Sequence, residues 1–527
     1  MVVGLLVVAL GWPFARLVAH LAEAPGAFSV LLEPTTLLAA YHTIALALGV
    51  AAMAFISGFP LGLMLGRIAL PWPKLWRALV LVPFAVPPWV MAMAWLSLLN
   101  PATGRLVPLF HALGLAPPDV YGPMGMVLVL GFEAVPIVVL ATADAAARVD
   151  PSLEEAARVG GVGPLRALWV ATAPLALPAA AMATAAAASG AVAAWSVPYL
   201  LSTGSTRPWP VLATRLVGLL DADPVSGLAA AAVLALLLCG LGALPVIVAR
   251  VLVPDRGRVS VGGRGARRRF AQVGAARWPL TGLVAAWCCV TAVMPLVALV
   301  ATSISGGGWG RALSRPDVWD AVARSLVLAT LAGITAAGVA AVLVWAARRA
   351  RWRGSGAALT LARLPWAVPG TALALMFLLG ASQEIALVLL DRVHFILALG
   401  NTATLLLFAY VLRFLALPVG AVDAAFGAVD GSLEEAAALS GAGPARRFRA
   451  IGLPLVRRDV WRGGLLVGVA ALSEVTMSVL LCGPDSRVVG TVVFDLLTYG
   501  DPSAAAALGV GLAAVGLVGA AAVDSAT

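Results

Sequence analysis

The sequence predicts an all-α polytopic membrane protein, with about twelve transmembrane helices arranged as two parallel six-helix repeats. Three observations carry this prediction. The 527-residue chain is 61% hydrophobic and 11% charged, with a mean hydropathy of +0.99, which excludes a soluble globule of this size. Apolar stretches of about 20 residues, the length that crosses a bilayer, recur along the chain. A more polar segment at 152–174 recurs at 432–454.

Twelve apolar stretches are long enough for spanning helices. They lie at roughly 1–20, 41–66, 78–99, 124–147, 174–200, 227–250, 278–302, 321–347, 357–380, 402–422, 463–482 and 503–524. No basic region precedes the first stretch, and the sequence Ala22, Glu23, Ala24 resembles a cleavage site, so a removed signal peptide is the alternative there. We favour a retained helix.

The distribution of arginine predicts the orientation of these spans. If the N-terminus is cytoplasmic, the inside loops hold 24 Arg and Lys residues and the outside loops hold seven. Because basic residues concentrate in cytoplasmic loops, we expect the N-terminus and both copies of the repeated segment in the cytoplasm. The net charge of +10 then reflects membrane topology, and no nucleic-acid partner is expected.

A second pair of matching sequences extends the repeat. Residues 83–87 read PFAVP and residues 365–369 read PWAVP, which predicts that prolines break equivalent helices. The prolines concerned are Pro83, Pro87, Pro88, Pro365 and Pro369. We therefore divide the chain into a first transmembrane domain at 1–253, a Gly- and Arg-rich cytoplasmic linker at 254–277 and a second transmembrane domain at 278–527. A solute path is expected between the two halves.

The repeated segment has the features of a short helix followed by a turn. Its copies read SLEEAARVGGVGPLRALWVATAP and SLEEAAALSGAGPARRFRAIGLP. In the first copy, Ser152 and Glu155 have the spacing of a capping box, which predicts the start of a helix. Gly161 and Pro164 predict its end and the start of another helix, which returns to the membrane at Pro174. The second copy predicts the same structure from Ser432 onward.

The segment resembles the EAA loop of permease subunits of bacterial binding-protein-dependent ABC importers. The resemblance implies the type I permease fold, in which each such segment is a coupling helix that docks in a groove of an ATPase subunit. The residues that it assigns to coupling are Glu155, Ala156, Ala157 and Gly161, with Glu435, Ala436, Ala437 and Gly441. We expect the two glutamates to pair with basic residues of the ATPase; the alternative is that they only cap their helices. The first copy departs from the Ile, Leu, Pro ending of the motif.

The resemblance also implies the partners. These are two copies of a P-loop ABC ATPase, which would bind ATP and Mg, an extracytoplasmic solute-binding protein, and the lipid bilayer of the bacterial inner membrane. The chain itself is not expected to be an enzyme or to bind a cofactor. A P-loop needs a lysine after a glycine-rich turn, and the only lysine is Lys74, in PWPKLW. The cysteines and histidines are scattered, so no metal site is predicted.

Three ionisable residues inside the spans are candidates for the translocation path or for contacts between the halves. Glu133 and Arg413 occupy equivalent repeat positions, and we expect them to form an ion pair; local pairing within each half is the alternative. Glu474 has Ala194 as its counterpart. The stretch around Glu474 resembles iron(III)-type permeases, and the fused double-length chain is also similar to thiamine and phosphonate systems. Iron(III) or its complexes is the preferred solute.

An ion-coupled twelve-helix secondary transporter is the main alternative function. That class is expected to carry several midplane carboxylates, or unwound helices, at matching positions of its halves. Only Glu133 and Glu474 qualify, and they are not equivalent. A structural or sensor membrane protein would not explain two copies of one cytoplasmic docking segment. The permease interpretation is therefore preferred.

Overall fold

The computed structural model describes residues 2–205, 207–223, 227–253, 270–271, 273–349, 355–381, 385–389, 392–397, 402–498 and 500–525. Their regular secondary structure is helical apart from an antiparallel hairpin of β1 (Ile385–Leu389) and β2 (Arg392–Leu397), so the predicted all-α membrane fold is confirmed, with a hairpin that was not predicted. Most of the predicted linker, at 254–269 and 272, lies outside the described residues.

The helices follow the chain in this order. Those of the first half are α1 (Val2–Glu23), α2 (Pro34–Arg67), α3 (Pro73–Ala85), α4 (Pro88–Leu99), α5 (Val107–Ala112), α6 (Pro123–Ala147), α7 (Pro151–Val159), α8 (Pro164–Ala167), α9 (Ala173–Ala193), α10 (Ser196–Thr203), α11 (Leu212–Ala222) and α12 (Gly227–Leu252). Those of the second half are α13 (Arg277–Cys288), α14 (Met294–Ser305), α15 (Gly308–Leu313), α16 (Pro316–Arg349), α17 (Ser355–Ala367), α18 (Gly370–Ala381), α19 (Ala403–Phe414), α20 (Ala416–Ala428), α21 (Ser432–Leu439), α22 (Pro444–Arg447), α23 (Leu453–Ser473), α24 (Thr476–Leu481), α25 (Val489–Thr498) and α26 (Pro502–Ser525). Single π-helical turns at Leu168–Thr172, Cys289–Val293 and Phe448–Gly452 join α8 to α9, α13 to α14 and α22 to α23.

Several of these helices can cross a membrane. Among the described residues, seven are long and apolar enough, or ten if each sharply bent pair counts as one span. The chain is therefore a multi-pass membrane protein, and the count of twelve spans stays a prediction. The predicted spans 174–200 and 463–482 are each interrupted near their ends. Helices α9 and α23 end at Ala193 and Ser473, the next residue in each case is extended, and the short helices α10 and α24 follow.

Proline breaks two equivalent spans, as predicted. The angle between α3 and α4 is 98°, and the angle between α17 and α18 is 106°. Pro87 and Pro369 lie in the breaks. Proline interrupts a helix because it has no N–H to donate and forces the preceding residue out of the helical region. Val86, with φ −92° and ψ 135°, shows that effect. Pro83 and Pro365 instead lie within α3 and α17.

The described chain forms two compact units, and each combines segments from both halves of the sequence. One unit comprises Leu32–Arg215 and Leu237–Gly306. The other comprises Met1–Leu31, Leu216–Leu236 and Gly307–Thr527. Each unit thus contains helices from both sequence halves, and the division into transmembrane domains at 1–253 and 278–527 stays a prediction.

Glycines set the closest helix packing in the first of these units. Gly58, Gly62 and Gly66 recur every four residues along α2 and face α6. A Cβ atom on Gly62 would lie 2.5 Å from Cβ of Thr142, so only glycine permits this approach. Such small residues at four-residue spacing are a common contact between membrane helices. In the other unit, Gly333 plays this part, since its added Cβ would lie 2.5 Å from the Gly464 carbonyl oxygen.

Matching side-chain contacts also recur at the start of two short helices. The Thr43 hydroxyl accepts a hydrogen bond of 2.9 Å from the amide of Leu212, the first residue of α11. The Ser325 hydroxyl accepts one of 2.9 Å from the amide of Val489, the first residue of α25. Thr43 and Ser325 lie at equivalent places near the starts of α2 and α16, so the repeat is visible in individual contacts as well as in sequence.

Candidate functional site

Each copy of the repeated segment begins with an aspartate cap. The Asp150 carboxylate accepts a hydrogen bond of 2.9 Å from the Ser152 amide, and the Asp430 carboxylate accepts one of 3.0 Å from the Ser432 amide. The hydrogen bonds from Ser152 hold the pKa of the Asp150 carboxyl below its usual range. An acidic side chain here satisfies an otherwise unpaired amide and suits the positive end of the helix.

The predicted capping boxes, Ser152 with Glu155 and Ser432 with Glu435, are therefore wrong. In the first copy α7 starts at Pro151, with Asp150 as its N-cap, which places Ser152 inside the first turn. Proline is favoured at that first position because its missing N–H would have had no partner. In the second copy the N-cap is Gly431, which makes no side-chain cap, and the aspartate one residue earlier takes over.

Each short helix ends at a glycine in the left-handed region. Gly161 has φ 84° and Gly441 has φ 82°, a conformation that side chains with a Cβ rarely adopt. The amide after each glycine bonds back to the carbonyl of Ala157 or Ala437, at 3.2 and 2.9 Å. These are the bonds of a Schellman motif. New helices begin at Pro164 and Pro444, which confirms the predicted helix, turn and second helix.

The return helix is continuous through Pro174 and Pro454. It starts ten residues earlier, at Pro164 or Pro444, and passes through the π-helical turns at Leu168–Thr172 or Phe448–Gly452. Turns of this kind inside helices are rare and concentrate at functional positions. The first copy departs from the Ile, Leu, Pro ending at Ala171, in this turn, and at Ala173, the first residue of α9, and neither change interrupts the helix.

The residues predicted to couple to an ATPase lie together on the outer face of each short helix. Glu155, Ala156 and Gly161 are exposed and Ala157 is half-buried. The second copy matches position by position, at Glu435, Ala436, Ala437 and Gly441. Apolar side chains lie beside them, since Val159 is 90% and Leu439 is 91% exposed. This face can therefore pack against another protein through small and apolar side chains, with one carboxylate in each copy.

The glutamate before each motif glutamate points the other way and is buried. Glu154 is 7% exposed and Glu434 is 4% exposed. Glu154 lies three residues from the half-buried Pro151 and Ala157, and Glu434 lies three residues from the half-buried Gly431 and Ala437, so each is on the inward side of its helix. The sequence analysis did not identify Glu154 or Glu434. The doubled glutamate was the available signal, but the sequence does not say which member faces inward.

Glu154 joins the short helix to the end of α2. Arg67, the last residue of α2, donates from Nε to Glu154 Oε1 at 2.9 Å and from Nη1 to the Val149 carbonyl at 3.2 Å. The Thr172 hydroxyl, in the π-helical turn, also donates to Glu154 Oε1. The Arg67 side chain is 2% exposed, so the ion pair is shielded from water and strengthened by its hydrogen bonds.

Glu434 makes the same connection in the second half. Arg349, the last residue of α16, donates from Nε to Glu434 Oε1 at 3.3 Å and from Nη2 to the Val429 carbonyl at 3.1 Å. The second donor differs, because the Trp345 indole N–H bonds Glu434 Oε2 at 2.9 Å. Arg67 and Arg349 are among the basic residues that predicted the orientation of the spans, and no pairing with Glu154 or Glu434 was predicted for them.

The ionisable residues within the spans have local surroundings. Arg413 donates to the carbonyls of Pro365 and Val368, at the break that ends α17. A cation there compensates the unpaired carbonyls of a helix C-terminus. Glu474 Oε1 accepts a hydrogen bond of 3.0 Å from the Met477 amide and so caps α24. Glu133 is half-buried in α6. Its pairing with Arg413, which belongs to the other compact unit, stays a prediction.

Residues 58–257 match the family described as binding-protein-dependent transport system inner membrane component. This match covers less than half of the chain. Among solved structures, the chain is similar to a bacterial alginate ABC transporter in complex with an alginate pentasaccharide-bound periplasmic protein, at 16% identity over 44% of this chain and 83% of that chain, with a TM-score of 0.36. No curated protein matches the chain.

Proposed function

We propose that the chain is the transmembrane permease component of an ATP-driven ABC importer, with both permease halves in one polypeptide. The observation that carries the proposal is the second repeated segment, which lies outside the matched residues 58–257. It has the same aspartate cap, exposed Glu-Ala face, left-handed glycine, π-helical turn and buried glutamate as the first. A second permease half is therefore supported by local structure as well as by sequence.

The two short helices α7 and α21 act in this proposal as coupling helices. Each docks its exposed face in a groove of one ATPase subunit, so one chain binds two copies. Glu155 and Glu435 pair with basic residues of the ATPase, while Ala156 and Ala436 allow close approach. ATP and Mg bind to the partner, whose closure moves the spans. Both helices and the N-terminus lie in the cytoplasm, as the arginine distribution predicts.

The solute passes between the two halves by alternating access, after delivery by an extracytoplasmic binding protein. Iron(III) or one of its complexes is the proposed solute, and thiamine or a phosphonate is the next candidate. This preference rests on the resemblance around Glu474. Because Glu474 caps α24 in the structure, we assign it to shaping that helix beside the path and not to binding metal.

Charge reversal on the two coupling helices tests the proposal. We expect the chain, purified from its native host in mild detergent, to retain a P-loop protein at two copies per chain, with ATPase activity. Hydrogen bonds to charged groups contribute about 1.5–3 kcal/mol each, so Glu155→Arg with Glu435→Arg should reduce the retained ATPase more than tenfold. Quantitative mass spectrometry of the purified complex measures this loss.

The control is Asp221→Arg, which reverses an exposed carboxylate at the end of α11, far along the chain from either coupling helix. We expect that variant to keep its partner. Full retention of the ATPase by the double reversal would contradict docking through Glu155 and Glu435. A chain that purifies alone and drives ion-dependent uptake in vesicles without ATP would replace the importer with a secondary transporter.

A further inference from the structure

We propose that Glu154 and Glu434 are positioning residues that fasten each coupling helix to the end of a membrane span that is distant in sequence. This inference rests on the proposed function of α7 and α21 as coupling helices. The lock consists of the buried glutamate, the arginine that ends α2 or α16, and a second hydrogen-bond donor. It is a different element from the exposed Glu-Ala face, which meets the partner.

The first argument is that both halves build the lock from the same parts. Arg67 and Arg349 are the last residues of α2 and α16, and each also bonds the carbonyl of the valine that precedes the coupling segment. Each arginine therefore holds the side chain of the segment and its backbone at once. The same arrangement in both repeat copies, with a buried glutamate in each, argues against a chance contact of surface charges.

The second hydrogen-bond donor to the buried glutamate comes from a different repeat position in each half. In the first half the donor is Thr172, and Leu63 stands at the repeat position of Trp345. In the second half the donor is Trp345, and Gly452 stands at the repeat position of Thr172.

A Cβ atom on Gly452 would lie 3.0 Å from the Trp345 indole nitrogen and 2.9 Å from its Cδ1, so the indole occupies room that only glycine leaves. The two halves therefore differ at both positions, yet each buried glutamate accepts hydrogen bonds from an arginine and from a second side chain. Preservation of the donor, and not of the residue, indicates that the hydrogen bond is what the site requires.

The third argument is mechanical. Along the chain, α7 is connected to α9 through a left-handed glycine and a π-helical turn, and α21 is connected to α23 in the same way. A connection of this kind fixes the orientation of the short helix less rigidly than a continuous α-helix would. The buried glutamate bypasses them, because it joins the coupling helix directly to α2 or α16. In the first half it also reaches the π-helical turn itself, through Thr172.

Spin labels on the full chain test the lock without the solute. After replacement of the four native cysteines, labels at Ile56 of α2 and Val159 of α7, which are 71% and 90% exposed, report the distance between span and coupling helix. We expect a narrow distance distribution in the otherwise unchanged chain. Glu154→Gln should broaden it about twofold, because the short helix then samples further orientations.

Donor exchange separates this role from a general need for packing. Thr172→Gly should broaden the distribution, Thr172→Ser should leave it narrow, and Thr172→Gly combined with Leu63→Trp should narrow it again. The matched control is Thr184→Gly, which removes a threonine from the same return helix without touching Glu154. Labels at Ile334 and Leu439, with Trp345→Leu and then Gly452→Thr, repeat the test in the second half.

Unchanged distributions in Glu154→Gln and Thr172→Gly, with the fold intact by circular dichroism, would overturn the inference. So would a failure of Leu63→Trp to narrow the distribution of a broadened Thr172→Gly variant. Neither result bears on whether an ATPase binds. Conversely, a chain that retains no ATPase would remove the proposed function while the spin-label result still reported whether the lock exists.

Discussion

At the scale of single residues, each short helix carries two adjacent glutamates, one exposed and one buried. Glu155 and Glu435 face outward with their alanines, as expected for a docking surface. Glu154 and Glu434 face inward and bind arginines that come from 87 and 85 residues earlier in the chain. Contacts at that separation leave no periodic pattern, so the sequence indicated where the site is but not how it is held.

Gly161 provides the prediction at this scale. Because its φ is 84°, a Cβ atom should cost about 1–2 kcal/mol, and Gly161→Ala should speed amide hydrogen exchange in 151–159 by about tenfold through local opening. The measurement is exchange followed by mass spectrometry.

Gly163→Ala is the matched control for this test. Gly163 has φ −62° and open space around its Cβ position, so that variant should exchange like the parent. Equal exchange rates in the two variants would mean that the left-handed turn does not stabilise α7.

At the scale of helices, composition predicted most spans and proline predicted their breaks. The angles of 98° and 106° could not be predicted, because they depend on which groups donate hydrogen bonds to the carbonyls left unpaired at each break. In the second half Arg413 donates hydrogen bonds to two such carbonyls. Its repeat counterpart, Glu133, cannot do so unless it is protonated, because an ionised carboxylate has no hydrogen to donate. Equivalent breaks are therefore stabilised differently. The ion pair expected between Glu133 and Arg413 from their repeat positions stays a prediction.

The glycine contact between α2 and α6 carries the prediction for this scale. An added Cβ on Gly62 would overlap Thr142, so Gly62→Leu must displace α2, and overpacking of this kind costs typically 1–3 kcal/mol. We expect a lower melting temperature and a smaller yield of monodisperse protein in detergent. The measurement is thermal unfolding followed by size-exclusion chromatography.

Gly240→Leu is the control, because Gly240 lies in α12, a membrane helix, with no atom within 4 Å of its Cβ position. A Gly62→Leu variant that melts with the Gly240→Leu variant would show that the close approach of α2 to α6 does not limit stability.

At the scale of the whole molecule, each compact unit contains helices from both halves of the repeat. The helices α13 and α14 belong to the second half by sequence but to the compact unit of Leu32–Arg215. There Trp287 meets Phe132 edge to face, with ring centroids 5.3 Å apart. In the other unit, the Trp12 indole donates to the Gly380 carbonyl at 3.3 Å. No sequence signal indicates which half a given span packs against, since every span is apolar.

The interleaved packing predicts that neither half is stable alone. A piece ending at residue 253 lacks α13 and α14, and a piece starting at 278 lacks α1, so each exposes helix surface that the intact chain buries. Destabilisation by even 1–2 kcal/mol changes abundance several-fold in cells, so we expect each piece alone to accumulate at a small fraction of the intact level. Quantitative immunoblotting of isolated membranes measures the amount of each piece.

The control is the expression of both pieces together, split within 254–277. This pair should recover most of the intact level, because each piece supplies the helices that the other lacks. Two pieces that accumulate normally by themselves would instead show that each half is stable without the other.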